Sequence, residues 1–180
     1  LDDILPRARV AKNLVENAHQ KTLFVSGAGG SIGSEIARQL LDNDPKEMIL
    51  YEISEYNLFN LERACIAAKQ SKGLNTKIIP ILGDIKDSSN LNYLFKKFSI
   101  DCIYHAAAYK HVPLVEDENN ISSACENNII GTYTLAKYAI EHKIKSFVMI
   151  STDKAVRPSN VMGASKRMAE IIIQSLNSSQ

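Results

Sequence analysis

The sequence predicts an α/β domain built on a doubly wound parallel sheet. Three observations carry that expectation. Short, β-rich runs alternate with longer stretches of helical period. The runs are apolar almost throughout, as strands covered on both faces should be. A glycine-rich turn joins the first of them to the first helical stretch. At 180 residues, 45% of them hydrophobic, the chain has the size of one such domain, and it carries no internal repeat or low-complexity tract.

After Pro6, Val10, Leu14 and Ala18 fall on one helical face, so residues 1–20 read as a lead-in helical segment and residues 21–180 as the sheet domain. Strands are expected at 22–26, 48–52, 77–82, 101–105 and 145–151. Between them, Ile32, Ile36 and Leu40 form one helical stripe. Leu91, Leu94, Phe95 and Phe98 form another, with Asp87 or Ser88 placed to cap its helix. Ile121, Cys125, Ile129, Thr132, Leu135, Ala136 and Ala139 extend the helical period along one long helix. A last stretch holding Met168, Ile172 and Leu176 runs to residues 178–180 without a further strand, so the chain reads as a fragment whose C-terminal lobe is missing.

Composition narrows the function. Twenty-one basic against 20 acidic residues leave a net charge of +1, which argues against a surface for nucleic acid or anionic lipid. Cys65, Cys102 and Cys125 are far apart with no CxxC, so neither a disulfide framework nor a thiolate zinc site is expected, and a reducing compartment fits. No His pair has metal-ligand spacing, and no metal is expected. No apolar run approaches the ~18 residues of a membrane span, and the first twenty residues lack a signal peptide's apolar core. The chain as given is expected to be soluble.

The first strand enters Gly27-Ala28-Gly29-Gly30-Ser31-Ile32-Gly33, a GxxGxxG pattern on Gly27, Gly30 and Gly33. At average glycine usage that spacing arises by chance roughly 0.06 times per chain, so its place between strand and helix matters more. Bare glycine backbone lets a pyrophosphate approach the amides of Ser31, Ile32 and Gly33 at the helix N-terminus, as in a Rossmann-like fold. Glu52 closes the second strand, where a carboxylate accepts from an adenosine ribose and repels a 2′-phosphate, favouring NAD over NADP. Arg38 and Arg63 remain able to reach a phosphate, and a solvated strand-end acid is the plainer reading of Glu52. Asp84 after the third strand can bond an adenine amine while Ile85 packs on the ring, although an Asp in a turn is common without any ligand.

The fourth strand leads into His105-Ala106-Ala107-Ala108-Tyr109-Lys110-His111-Val112-Pro113. Ala106, Ala107 and Ala108 are small enough for a dinucleotide to lie against the backbone at the carboxyl edge of the sheet. Lys110 and His111 are either contacts to a phosphorylated or hydroxylated substrate or ordinary surface residues. The fifth strand delivers Ser151-Thr152-Asp153-Lys154, followed by AVRPSNV and then Met162-Gly163-Ala164-Ser165-Lys166.

GAGGSIG, HAAAYKHVP, STDKAVRPSN and MGASK together resemble the extended short-chain dehydrogenase/reductases. The likeness is specifically to the long UDP-N-acetylglucosamine 4,6-dehydratases of bacterial polysaccharide biosynthesis and protein glycosylation, and it covers about residues 21–176. The resemblance implies a redox-neutral lyase with tightly held NAD: transient oxidation at sugar C4, loss of water across C5 and C6, and hydride return to C6. It matches Thr152 to the hydroxyl that bonds the C4 oxygen, Asp153 to the acid/base carboxyl, and Lys154 to a lysine that stands where many hexose dehydratases have Glu. It matches Lys166 to the lysine that holds the nicotinamide ribose. Met162 stands where the superfamily has a catalytic Tyr, a departure shared by the long dehydratases that leaves the C4-hydroxyl base open, with Asp153 as the candidate. Asn128, grouped with Lys110 and His111 near the substrate, matches an asparagine that steadies the active-site backbone. The resemblance further implies a UDP-sugar partner, a homo-oligomer, and a location at the cytoplasmic face of the inner membrane through a region outside this chain. A nucleotide-sugar epimerase and a non-enzymatic NAD sensor are the competing readings.

Overall fold

The computed structural model describes residues 18–178, so Val10 and Leu14 of the expected lead-in helix lie outside the described residues. Five parallel strands stand in the order β3-β2-β1-β4-β5. They are β1 (Thr22–Ser26), β2 (Glu47–Glu52), β3 (Lys77–Leu82), β4 (Cys102–His105) and β5 (Ser146–Met149). The helices are α1 (Ser31–Leu41), α2 (Glu55–Lys72), α3 (Ser88–Lys97), short α4 (Val112–Val115) and α5 (Ile121–Cys125). Helix α5 runs through a π-helical turn, Glu126–Gly131, into α6 (Thr132–Glu141), and α7 (Val161–Ser178) follows the last strand.

Strand alternation sorts the core into two layers. Leu23 and Val25 of β1, Met48 and Leu50 of β2, and Cys102 and Tyr104 of β4 pack with Ile36, Ala37 and Leu40 of α1 and with Leu58, Leu61 and Cys65 of α2. The intervening Phe24, Ile49, Tyr51 and Ile103 face Leu91, Leu94 and Phe95 of α3 and Leu135 and Ala139 of α6. Only β1, β2 and β4 are covered on both faces. The edge strands β3 and β5 are half-exposed, contrary to the expectation of five buried strands, because each has a neighbour on one side only. Pro80 is tolerated in β3 because an edge strand can spare one N–H.

Three stripes differ from the sequence expectation. Ile32 is 45% exposed, since the first turn of α1 rises past the strand ends, and Gly33 and Ala37 take its place beside Ile36 and Leu40. Met168 is exposed, while α7 buries Met162, Ser165, Lys166 and Ala169. In the long helix the π turn admits an extra residue, so Asn127 and Asn128 face inward while Cys125 and Ile129 are only half-buried. Beyond that turn Thr132, Leu135, Ala136 and Ala139 are buried as expected. Asp87, not Ser88, caps α3 by accepting from the Asn90 N–H at 3.0 Å.

Candidate active site

After β3 the chain crosses to the far side of β1, so helices leave β1 and β4 on opposite faces and a crevice opens between them at the carboxyl edge. That crevice is an open cleft. Its lining brings together Gly27, Gly30, Glu52, Asp84, Ile85, Ala106, Ala107 and Ala108, all singled out from sequence. Tyr51, Ile53, Asn57, Gly83, Tyr109 and Asn127 complete it.

Gly27 and Gly33 show why the turn needs glycine. Gly27 has φ +63°, and a Cβ there would lie 2.5 Å from the Ala107 Cα, so the turn rests directly on the segment after β4. A Cβ on Gly33 would lie 2.0 Å from the Gly27 carbonyl oxygen, which makes Gly33 a packing residue beneath the turn and not part of the cleft lining. Gly30 is the N-cap of α1 and no side chain caps that helix end, so it presents backbone and dipole to the cleft. Ser31 and Ile32 form the first turn of α1, outside the lining.

Glu52, 6% exposed, accepts from the Gly29 N–H at 2.9 Å and from the Ser54 N–H at 3.0 Å. It therefore braces the glycine turn while still lining the cleft, and the solvated-acid reading does not hold. Arg38 pairs with Glu35, Arg63 lies over the Phe59 ring, and neither lines the cleft. Asp84 accepts from the Lys86 N–H at 2.9 Å, and the Tyr51 hydroxyl donates to its carbonyl at 2.8 Å, fixing the turn that exposes the carboxylate. Small walls, an uncapped helix end and an acid at the second strand form a cradle that fits NAD.

Lys110 and His111 are exposed and line an adjoining open cleft with Leu114, Asn120 and Ser123, which shares Ala108 and Tyr109 with the first. Asn128 is 1% exposed and fully engaged inside the protein. Its Oδ1 accepts from the Tyr109 N–H at 2.8 Å, and its Nδ2 donates to the Tyr109 carbonyl and the Ser165 hydroxyl, both at 3.0 Å. Placing it with the substrate contacts is corrected accordingly: it holds backbone and helix in place. Asn127 beside it, missed from sequence, reaches the cleft through the π turn.

The catalytic candidates lie one strand further along the same edge, outside the lining of the first cleft. Thr152, in extended conformation, caps a 3₁₀ turn, Asp153–Ala155. Its hydroxyl donates to Asp153 Oδ1 at 2.9 Å, the Lys154 N–H donates to the same oxygen at 2.9 Å, and Lys154 Nζ stands 3.8 Å away. The Thr152 hydrogen bond first, then the Lys154 charge, hold the Asp153 carboxyl below its usual range. Asp153 is thus an exposed, ionised carboxylate with a hydroxyl and an ammonium beside it.

Lys166 is 5% exposed and donates to the Ile150 carbonyl at 2.7 Å. Burial lowers its pKa, against the opposing charge of Glu170. Glu170 also accepts from the Ser151 hydroxyl at 2.5 Å, securing the start of the STDK turn, a contact the sequence did not reveal. Met162, placed from the sequence at the catalytic-Tyr position, is buried with Val115 and Ala124 and serves as a packing residue, its thioether being unable to take a proton.

The family model described as "Polysaccharide biosynthesis protein" matches residues 23–180. The chain belongs to the polysaccharide biosynthesis protein family. It is 42% identical over 180 residues to the capsular polysaccharide biosynthesis protein CapD of Staphylococcus aureus, covering 98% of this chain and 29% of that protein. It is 32% identical over 150 residues to a UDP-glucose 4-epimerase of Rickettsia bellii, covering 83% of this chain and 42% of that one. The fold resembles the UDP-glucose 4-epimerase of Bifidobacterium longum in complex with NAD+ and UDP, with TM-score 0.72 and 21% identity over 88% of this chain and 50% of that one. The chain therefore spans less than half the length of these two curated relatives, and carries the Rossmann-like part of a fold shared with nucleotide-sugar enzymes.

Proposed function

We propose that the complete polysaccharide biosynthesis protein is an NAD-dependent nucleotide-sugar 4,6-dehydratase that converts UDP-N-acetylglucosamine to its 4-keto-6-deoxy product. The observation that carries this reading is the Thr152-Asp153-Lys154 turn: three different proton-handling groups within one turn, on the same sheet edge as the cleft, with an apolar residue at 162. When bound, NAD supplies a reversible acceptor for the C4 hydride.

The cradle of Gly27, Gly30 and Ala106–Ala108 binds and orients the dinucleotide backbone, and Glu52 takes the adenosine ribose. Asp153, ionised and aided by Thr152, accepts the C4 hydroxyl proton that Met162 cannot take. Asp153 then passes that proton to the departing C6 hydroxyl, which leaves as water, while Lys154, in its uncharged form, takes the C5 proton and gives it back to C5 as the hydride returns to C6. An epimerase has no use for that extra group.

The complete protein is proposed to act as a homo-oligomer at the cytoplasmic face of the inner membrane, anchored by a region outside this chain. Among the described residues no helix is long and apolar enough to cross a membrane. Incubating the complete protein with UDP-N-acetylglucosamine and no reductant tests the reaction. Product lighter by one water is expected. A sugar nucleotide of unchanged mass, epimerised or not, refutes it.

A further inference from the structure

We propose that His105 is a positioning residue for this reaction: its ring, bonded on both sides, fixes the glycine turn against the helix bearing Asn128 and thus the Ser165–Lys166 segment. His105 ends β4 and is 1% exposed. Its Nδ1 lies 2.7 Å from the Ser26 hydroxyl, its Nε2 2.8 Å from the Thr132 hydroxyl.

The direction of these bonds follows from Thr132. That hydroxyl gives its one proton to the Asn128 carbonyl at 2.7 Å, so it can only accept from His105. Nε2 therefore carries a proton, and because burial keeps a second proton off the ring, Nδ1 accepts from Ser26. A one-way relay results, from Ser26 through His105 and Thr132 to the Asn128 carbonyl.

Its two ends are functional. Ser26 immediately precedes Gly27, and Asn128 holds Tyr109 and Ser165 through its side chain. Each relay member is at least 99% buried, so water offers no substitute partner for a broken link. Lys166, on α7, is the charged group whose positive field opposes a second proton on the ring. The relay joins the end of β1, beside the glycine turn, to the helix whose Asn128 holds Tyr109 and Ser165, so losing it loosens that helix against the sheet.

The inference rests on the dehydratase reading, and its test separates the two. In the complete protein, ¹⁵N NMR of His105 is expected to show the Nε2–H neutral tautomer throughout pH 5 to 9. His105→Gln retains one donor and one acceptor and is expected to keep kcat within about threefold. Thr132→Val, nearly isosteric, and His105→Phe are expected to lower kcat and NAD affinity roughly tenfold each while leaving the sugar KM unchanged. Should His105→Phe fail to fold, Thr132→Val decides. An Nδ1–H tautomer, or wild-type kcat and NAD affinity in Thr132→Val, overturns the proposal. Wild-type protein that binds NAD but releases no water sinks the dehydratase reading alone, since the tautomer and NAD affinities still judge the relay.

Discussion

Acidification exposes His105 as a stability determinant with a magnitude set by its surroundings. Burial first, and the Lys166 charge second, push its pKa from 6.5 to about 3 in the folded protein. The unfolded chain regains the ordinary value, so between those limits it binds a proton that the folded state refuses. Stability is therefore intact above about pH 6.5 and declines as pH falls, by roughly 1.4 kcal/mol per pH unit. From about pH 7.5 to about pH 5 the loss attributable to this one ring is about 2 kcal/mol, a substantial part of the 5–15 kcal/mol that holds a domain together. Carboxylates such as Asp44, held ionised by backbone N–H groups at Asn75 and Thr76, add their own acid sensitivity. His105→Gln keeps those carboxylates and removes the ring, so the difference between the two proteins isolates His105. Urea unfolding at both pH values is expected to show wild type losing about 2 kcal/mol more than the variant. Equal losses in the two proteins refute the argument.

Two further outcomes follow from the site. Gly33→Ala gains about 1 kcal/mol of helix propensity, but its Cβ meets the Gly27 carbonyl at 2.0 Å and forces the turn outward. Overpacking of about 1–3 kcal/mol outweighs that gain, so thermal melting should shift down and NAD titration should show weaker binding. Asp153→Asn, on a side chain 90% exposed, should leave the melting temperature unchanged and lower kcat by about a hundredfold. Because Thr152 and Lys154 lower the wild-type Asp153 pKa, its base form persists as pH falls, and the acid limb of the rate profile should lie below the usual carboxylate range.

The sheet, its two-layer core and most of the cofactor cleft were legible because their signals are local. Apolar runs mark β1, β2 and β4, and glycines at Gly27 and Gly33 mark a turn that only bare backbone can make. Helix α2 was not singled out in the sequence, although its buried Leu58, Leu61 and Cys65 recur at i, i+3 and i+7; Ser54, which accepts from the Asn57 N–H, and Gly73 at φ +64° close its ends. The π turn was not legible: a 3.6-residue period predicts Cys125 and Ile129 inside, and one inserted residue turns Asn127 and Asn128 inward instead. Glu170 and His105 were missed because their partners, Ser151 and Ser26, lie 19 and 79 residues away.

The departures from local rules cluster in space, and that clustering has a cause. A helix that follows its period buries apolar side chains, and a buried asparagine pair costs stability unless every polar atom is paired. Here the cost is offset, because no buried side-chain polar atom among the described residues lacks a partner. Asn128 spends its capacity on Tyr109 and Ser165, and its carbonyl closes the His105 relay. A purely structural helix gains nothing from this arrangement that leucine would not supply. What asparagine supplies is a fixed distance between the segment after β4, which forms the cleft wall, and the helix that carries Lys166. Asn128→Leu should accordingly preserve or raise stability only if the helix straightens, and in doing so it should remove Asn127 from the cleft and abolish turnover.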